Sequence, residues 1–149
     1  MIELNLPFFE AKISEQDGKR TIWDPIRKVW TALTPEEQVR QAFVSYLVNY
    51  KGVPLSHIAN EQTIDLNGMK RRCDSVVYNR AGNPAVIVEY KSPAVTITQK
   101  VFDQISRYNI VLRVDYLMVS NGLKHYCVRM NYDAGTYSFL TDIPDYSQL

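Results

Sequence analysis

The run Ala85-Val86-Ile87-Val88, closed by Glu89-Tyr90-Lys91 and stopped by Pro93, constrains the fold more than any other stretch of the chain. Consecutive apolar residues over a strand's length read as a β-strand covered on both faces. Such a strand needs a layer above and a layer below it, so a sheet with helices on its faces is the expected architecture. Two segments supply the helices. Thr34-Pro35-Glu36-Glu37 combines an N-cap threonine, a proline at the first helical position and a glutamate at N3, which predicts a capping box. Val39, Phe43, Tyr46, Leu47 and Tyr50 then recur at helical spacing over residues 35–50, before Gly52 and Pro54, with Glu37, Arg40, Gln41 and Val44 beside that apolar face. The second helix is expected over residues 98–112, with Val101, Ile105, Tyr108 and Leu112 on one stripe.

Strands fill the rest. Residues 61–66 alternate and run into Asn67-Gly68, a strong hairpin signal, with a partner strand over 69–78. A turn at residues 79–84 leads to the strand at 85–91. Beyond the second helix an apolar strand is predicted over 114–120, a turn at Asn121-Gly122, and strands over 124–130 and 137–140. Residues 20–23 and 28–33, around Asp24-Pro25, read as a small N-terminal hairpin. The expectation is an α/β chain with a mixed sheet: one domain over residues 1–149, made of an N-terminal hairpin extension (1–33), a core (34–120) and C-terminal strands (121–149). At 149 residues the chain is long enough to bury a core without staples.

Charge and cysteine usage exclude several classes. Seventeen Lys and Arg stand against sixteen Asp and Glu, so no global field draws the chain to nucleic acid or an acidic membrane, and any such affinity rests on a local patch. Cys73 and Cys127 are far apart, without metal spacing, and read as reduced thiols of a cytosolic fold. His125-Tyr126-Cys127 offers too few ligands for a soft metal. The first residues lack a cationic leader followed by an apolar stretch, and no run approaches the roughly 18 apolar residues of a bilayer span. A cytoplasmic location and no membrane partner are expected.

The residues that carry chemistry are Asp74, Glu89 and Lys91. Glu89 and Lys91 are two apart on one strand and leave the same face, Tyr90 points to the other, and Asp74 sits on the preceding hairpin-paired strand. Two carboxylates converging near one ammonium at the end of an apolar strand are costly unless something neutralises them. Mg²⁺ or Mn²⁺ would do so, with Asp74, Glu89 and the backbone carbonyl of Tyr90 as oxygen ligands. Such a cation lowers the pKa of a bound water and offsets charge on a phosphodiester, with Lys91 orienting the water or stabilising the developing charge. A cross-strand ion pair on an exposed sheet face is the competing reading. Arg72, in the run Lys70-Arg71-Arg72, flanks the three residues where phosphate contacts would be needed.

Arg72-Cys73-Asp74, Pro84 and Val88-Glu89-Tyr90-Lys91-Ser92-Pro93 together resemble the PD-(D/E)XK nuclease signature, with Cys73 in place of the signature proline. Gln104-Ile105-Ser106-Arg107-Tyr108 resembles the Q-x-x-x-Y motif of RecB-type members. Residues 35–41, Tyr108-Asn109 and Ser120-Asn121-Gly122 look like stretches of the N-terminal domain of type I restriction enzyme R subunits (HsdR). The resemblance, over about residues 20–130, implies a restriction-endonuclease-like αβββαβ core and magnesium-dependent cleavage of DNA. It implies that Asp74 and Glu89 hold the metal, that Lys91 is the catalytic lysine, and that Glu37 helps arrange the metal or its waters. Gln104 and Tyr108 match the accessory pair that steadies the site or contacts nucleic acid. Glu37 at N3, and Gln104 with Tyr108 one turn apart, also have purely structural readings. No G-x-x-x-x-G-K-[ST] motif occurs, so the chain is expected to stand alone or to work with separate motor or specificity subunits. Pairing of two copies as a homodimer is a further expectation for an enzyme that cuts both strands. The alternative is a non-catalytic nucleic-acid- or protein-binding domain that keeps the nuclease fold.

Overall fold

The computed structural model describes residues 1–66 and 68–149, with all side chains except those of Leu66 and Tyr108. The expected Asn67-Gly68 turn therefore includes a residue, Asn67, that lies outside the described residues, as does the side chain of Tyr108. The elements in chain order are β1 (Ile13–Gln16), β2 (Lys19–Asp24), β3 (Val29–Ala32), α1 (Pro35–Tyr50), β4 (Ile58–Leu66), β5 (Met69–Tyr78), β6 (Pro84–Tyr90), α2 (Gln99–Ile110), β7 (Tyr116–Ser120), β8 (His125–Asn131) and β9 (Thr136–Phe139). No helix among the described residues is long and apolar enough to cross a membrane.

Strands β4 to β9 form one mixed sheet in sequence order, in which only β6 and β7 run parallel. A parallel pair needs a crossover, and α2 is that crossover. The apolar run of β6 is buried on both faces as expected. Val86, Val88 and Tyr90 pack with Val39, Phe43 and Leu47 of α1, whereas Ile87 packs on the opposite face with Phe102 and Ile105 of α2. From Val86 onward, period-2 alternation assigns the β6 side chains to one helix or the other, whereas Ala85 joins Val86 in the α1 cluster, beside the register shift at Val77/Tyr78.

The helices begin as their caps dictate. The Thr34 hydroxyl accepts from the Glu37 amide at 3.1 Å, and Thr98 accepts from Val101 at 3.2 Å. The expected capping box is only half formed, because the Glu37 carboxylate turns to Arg27, Arg40 and Gln41 instead of the Thr34 amide. Charge-assisted bonds to guanidinium outcompete a neutral N–H donor. Residues 37–44 of α1 are buried all round, while Tyr50, read as part of the apolar stripe, is 60% exposed.

The expected N-terminal hairpin forms, β2 pairing antiparallel with β3, and the structure adds one strand to it. A third strand, β1, pairs with β2 through a two-residue turn in which Asp17 and Gly18 both have positive φ, the geometry that matches strand twist. β1 is mostly exposed and polar, so it carries no hydrophobic alternation to announce it. The turn at Asp24-Pro25 is as expected: the Asp24 carboxylate accepts from the Ile26 and Arg27 amides at 2.8 and 3.0 Å.

Candidate active site

The site forms where the sheet's ladders stop. β5 and β6 pair from Ser75 and Val88 toward Tyr78 and Pro84, so pairing ends one residue short of Asp74 and Glu89. There the Asp74 side chain takes over: its Oδ2 accepts from the Tyr90 amide at 2.9 Å. On the other side, the β4–β5 pairing skips Glu61 and Asp74, and Glu61 has a φ of 54°, uncommon for a residue with a side chain. The Asp74 carbonyl accepts from Arg40 Nη1 at 2.8 Å. Side chains thus replace ladder bonds around Asp74 and hold its carboxylate beside β6.

Glu89 and Lys91 point to the α2 face and line a cavity of about 270 Å³ with Val101, Gln104 and Ile105. The Lys91 amide is anchored to the Ser120 carbonyl of β7 at 2.8 Å. Asp74 and Glu89 lie within hydrogen-bonding reach of each other; burial, followed by the Asp74 charge, pushes the Glu89 carboxyl up to about 8, while Lys91 and Asn109 pull it down. Tyr90 turns to the α1 face, where its hydroxyl donates to Ser75 Oγ at 2.9 Å. Desolvation and neighbouring carboxylates also push the Cys73 thiol up to about 12, which keeps it an unreactive thiol.

Three of the expected site residues, Asp74, Glu89 and Lys91, are therefore close together. Gln104, though exposed, joins them at the cavity wall. Glu37 stands on the other side of the sheet. It is 5% exposed, and its oxygens accept from Arg27 at 3.2 Å, Arg40 at 2.9 and 3.1 Å and Gln41 at 3.1 Å. Its path to Asp74 runs through Arg40. Arg72 is exposed and donates to Glu61 Oε2 at 2.8 Å.

Three residues of the site were not singled out from sequence. Arg40 and Glu61 are paired at 2.7 Å. Burial favours the neutral forms of both, but Glu37 and then Glu61 raise the Arg40 pKa, and Arg40 with Arg72 lowers that of Glu61. The third is Asn109, marked beforehand only as half of the Tyr108-Asn109 dipeptide. It is 4% exposed, its amide nitrogen donates to the Ile105 carbonyl at 2.9 Å, and its Oδ1 is buried without a partner. A buried acceptor left open beside Glu89 is what an ordered water at this site would satisfy.

The donor set suits a hard divalent cation. Two carboxylates and the Tyr90 carbonyl at a strand end offer oxygen donors, and among the described residues no group of three or more His, Cys, Asp or Glu is gathered to hold a metal. That is the partial set Mg²⁺ accepts, since it keeps waters and takes substrate phosphate oxygens for the rest.

Residues 35–144 match the family model described as type I restriction enzyme R protein N terminus (HSDR_N). No curated protein matches the chain. Among solved structures, the fold is similar to a fragment of a subunit assigned as HsdR of a type I restriction enzyme from Vibrio vulnificus YJ016, with a TM-score of 0.52 and 19% identity, covering 76% of this chain and 24% of that one. A complex of DrdV with DNA is also similar, with a TM-score of 0.44 and 21% identity, over 73% of this chain and 11% of that one. The chain therefore spans about a quarter or less of the solved relatives it resembles.

Proposed function

We propose that this chain, which belongs to the type I restriction enzyme R protein N-terminus family, hydrolyses phosphodiester bonds of DNA with the help of a divalent cation. The observation that carries this reading is the meeting of Asp74, Glu89 and Lys91 at the open end of β6, with the Asp74 carboxylate fastened to the Tyr90 amide. Asp74, Glu89 and the Tyr90 carbonyl would hold Mg²⁺ or Mn²⁺. Bound there, the cation supplies an acidified water and charge stabilisation at the phosphoryl oxygens.

The chain's own residues do the rest. Lys91 stands on the same face as Glu89, within reach of a phosphate presented there, and stabilises charge that develops on the phosphodiester. Gln104 at the cavity wall and Arg72 on the flanking strand supply polar contacts that orient the backbone of the nucleic acid. Asn109 Oδ1 accepts from a water in the site and so fixes its direction. Tyr108, one turn beyond Gln104, completes the accessory pair. In this reading, cleavage of both strands is served by two copies acting as a homodimer.

Incubating supercoiled plasmid or single-stranded DNA with the protein and Mg²⁺ or Mn²⁺ tests the proposal. Wild type should nick or cut, EDTA should stop it, and a folded Asp74→Asn protein should be inactive. Undiminished cleavage by Asp74→Asn would refute the assignment. DNA binding that persists in EDTA, with no cleavage under either metal, would support a non-catalytic binding domain instead.

A further inference from the structure

Arg40 touches the site from behind the sheet. It is 9% exposed, Nη1 donates to the Asp74 carbonyl at 2.8 Å, and its guanidinium carbon lies 5.9 Å from the centre of the Tyr90 ring. Tyr90 is the residue whose amide holds the Asp74 carboxylate. One guanidinium thus contacts both the peptide that bears the carboxylate and the residue that fixes it. Arg40 is itself held by Glu37 and Glu61.

The chain of bonds continues into the N-terminal sheet. Arg27 joins Glu37, at 3.2 Å, to the fully buried Asp24, at 2.6 Å. A second path leaves Asp24 through Asn60, at 3.0 Å, to Ser75 Oγ, at 2.6 Å, and on to the Tyr90 hydroxyl, at 2.9 Å. The two paths reach the adjacent residues 74 and 75 and converge on Tyr90. Asp24 and Arg27 lie outside the 35–144 span of the family match.

Stability alone is a poor reason for this arrangement. A buried ion network is often no more stable than well-packed apolar residues in its place, and its better-attested role is to specify one geometry. Arg40 also meets Asp74 where the β4–β5 pairing lapses, the one stretch of β5 where ladder bonds do not set the backbone between neighbours. We infer that Arg40, fastened through Glu37 and Arg27 to Asp24, is a positioning residue that sets where the Asp74 carboxylate stands, which makes the N-terminal sheet a working part of the metal site. The inference rests on the reading of Asp74 and Glu89 as metal carboxylates.

Calorimetric titration with Mn²⁺ alone separates the two. The charge-balanced double variant Glu37→Gln with Arg40→Gln leaves Arg27 with Asp24 and Glu61 with Arg72. It should keep its circular dichroism and cooperative melting yet bind Mn²⁺ at least about tenfold more weakly. Arg40→Lys keeps the charge but loses the planar fork that reaches several acceptors, so it should fall between, about threefold weaker than wild type. If wild type takes up no Mn²⁺, the metal reading fails and this inference with it. If wild type binds and the folded double variant binds equally well, the positioning role alone is overturned. Should the double variant not fold, Arg40→Lys decides: unchanged affinity overturns the role, and a threefold loss in a folded protein upholds it.

Discussion

A Lys91→Ala protein should still bind Mg²⁺ but cleave DNA about a thousandfold more slowly than wild type, the usual scale for removing a group that acts only in the transition state. The amide of residue 91 is held by the Ser120 carbonyl, so truncating the side chain leaves the strand in place. What disappears is the ammonium on the same face as Glu89, at the wall of the cavity. The comparison must be made at high pH. Lys91 pulls the Glu89 carboxyl down, so without it Glu89 keeps its proton to still higher pH and competes with the metal. At about pH 9 and saturating Mg²⁺ that competition fades, and the remaining deficit belongs to kcat. Lys91→Arg should recover only part of the rate, because a planar fork does not occupy the place of a compact ammonium. A Lys91→Ala protein that cleaves at the wild-type rate would remove Lys91 from the mechanism.

The second large effect is one of stability, and its sign reverses with metal. In the folded, metal-free protein burial and Asp74 raise the Glu89 carboxyl from 4.5 to about 8. The folded state therefore holds this proton more tightly than the unfolded chain does. The stability it contributes is fully present below about pH 4.5 and is lost as the pH rises toward about 8. Glu89→Gln mimics the protonated form at every pH and escapes that loss. With the half-buried position discounted for screening, the difference is on the order of 2 kcal/mol. For a chain of this size that is about 4–8 °C in Tm. Glu89→Gln should match wild type at pH 4 and melt several degrees higher at about pH 8–9 without metal. Adding Mn²⁺ at a hundred times its Kd should stabilise wild type by about 2.7 kcal/mol and the variant hardly at all. Differential scanning calorimetry reads both. Equal melting of the two proteins across the whole pH range, or equal gains from Mn²⁺, would contradict the account. The expected reversal with metal would mark a site that trades stability for readiness to bind a cation.

The readiness of this chemistry to be read from sequence followed its locality. Glu89 and Lys91 share a face because they are two apart on a strand whose apolar run identifies it, and Asp74 arrives beside them through a hairpin connection of ordinary length. The helix α1 was equally legible, because Thr34 and Pro35 mark its first turn and its apolar residues keep the helical period. Arg40 and Glu61 are different. They meet at 2.7 Å from separate elements, one on α1 and one on β4, and nothing local to either residue marks it as a partner. Glu37 was visible as a capping residue, yet its carboxylate was claimed by guanidinium groups that only the tertiary fold brings near. Strand β1 escaped because pairing with β2, not burial, makes it a strand, and its outward residues are polar. Asn109 had a sequence trace but its significance lies in an unpartnered oxygen, a property of packing.

The proposed chemistry requires Asp74 and Glu89 to share one divalent cation. Diffraction from crystals of the protein soaked in Mn²⁺, collected at the manganese absorption edge, tests it most directly. The expected result is an anomalous peak between the two carboxylates, within coordination distance of both and of the Tyr90 carbonyl, and its loss in Asp74→Asn. A manganese peak elsewhere on the molecule, with Asp74 and Glu89 holding only each other, would contradict it.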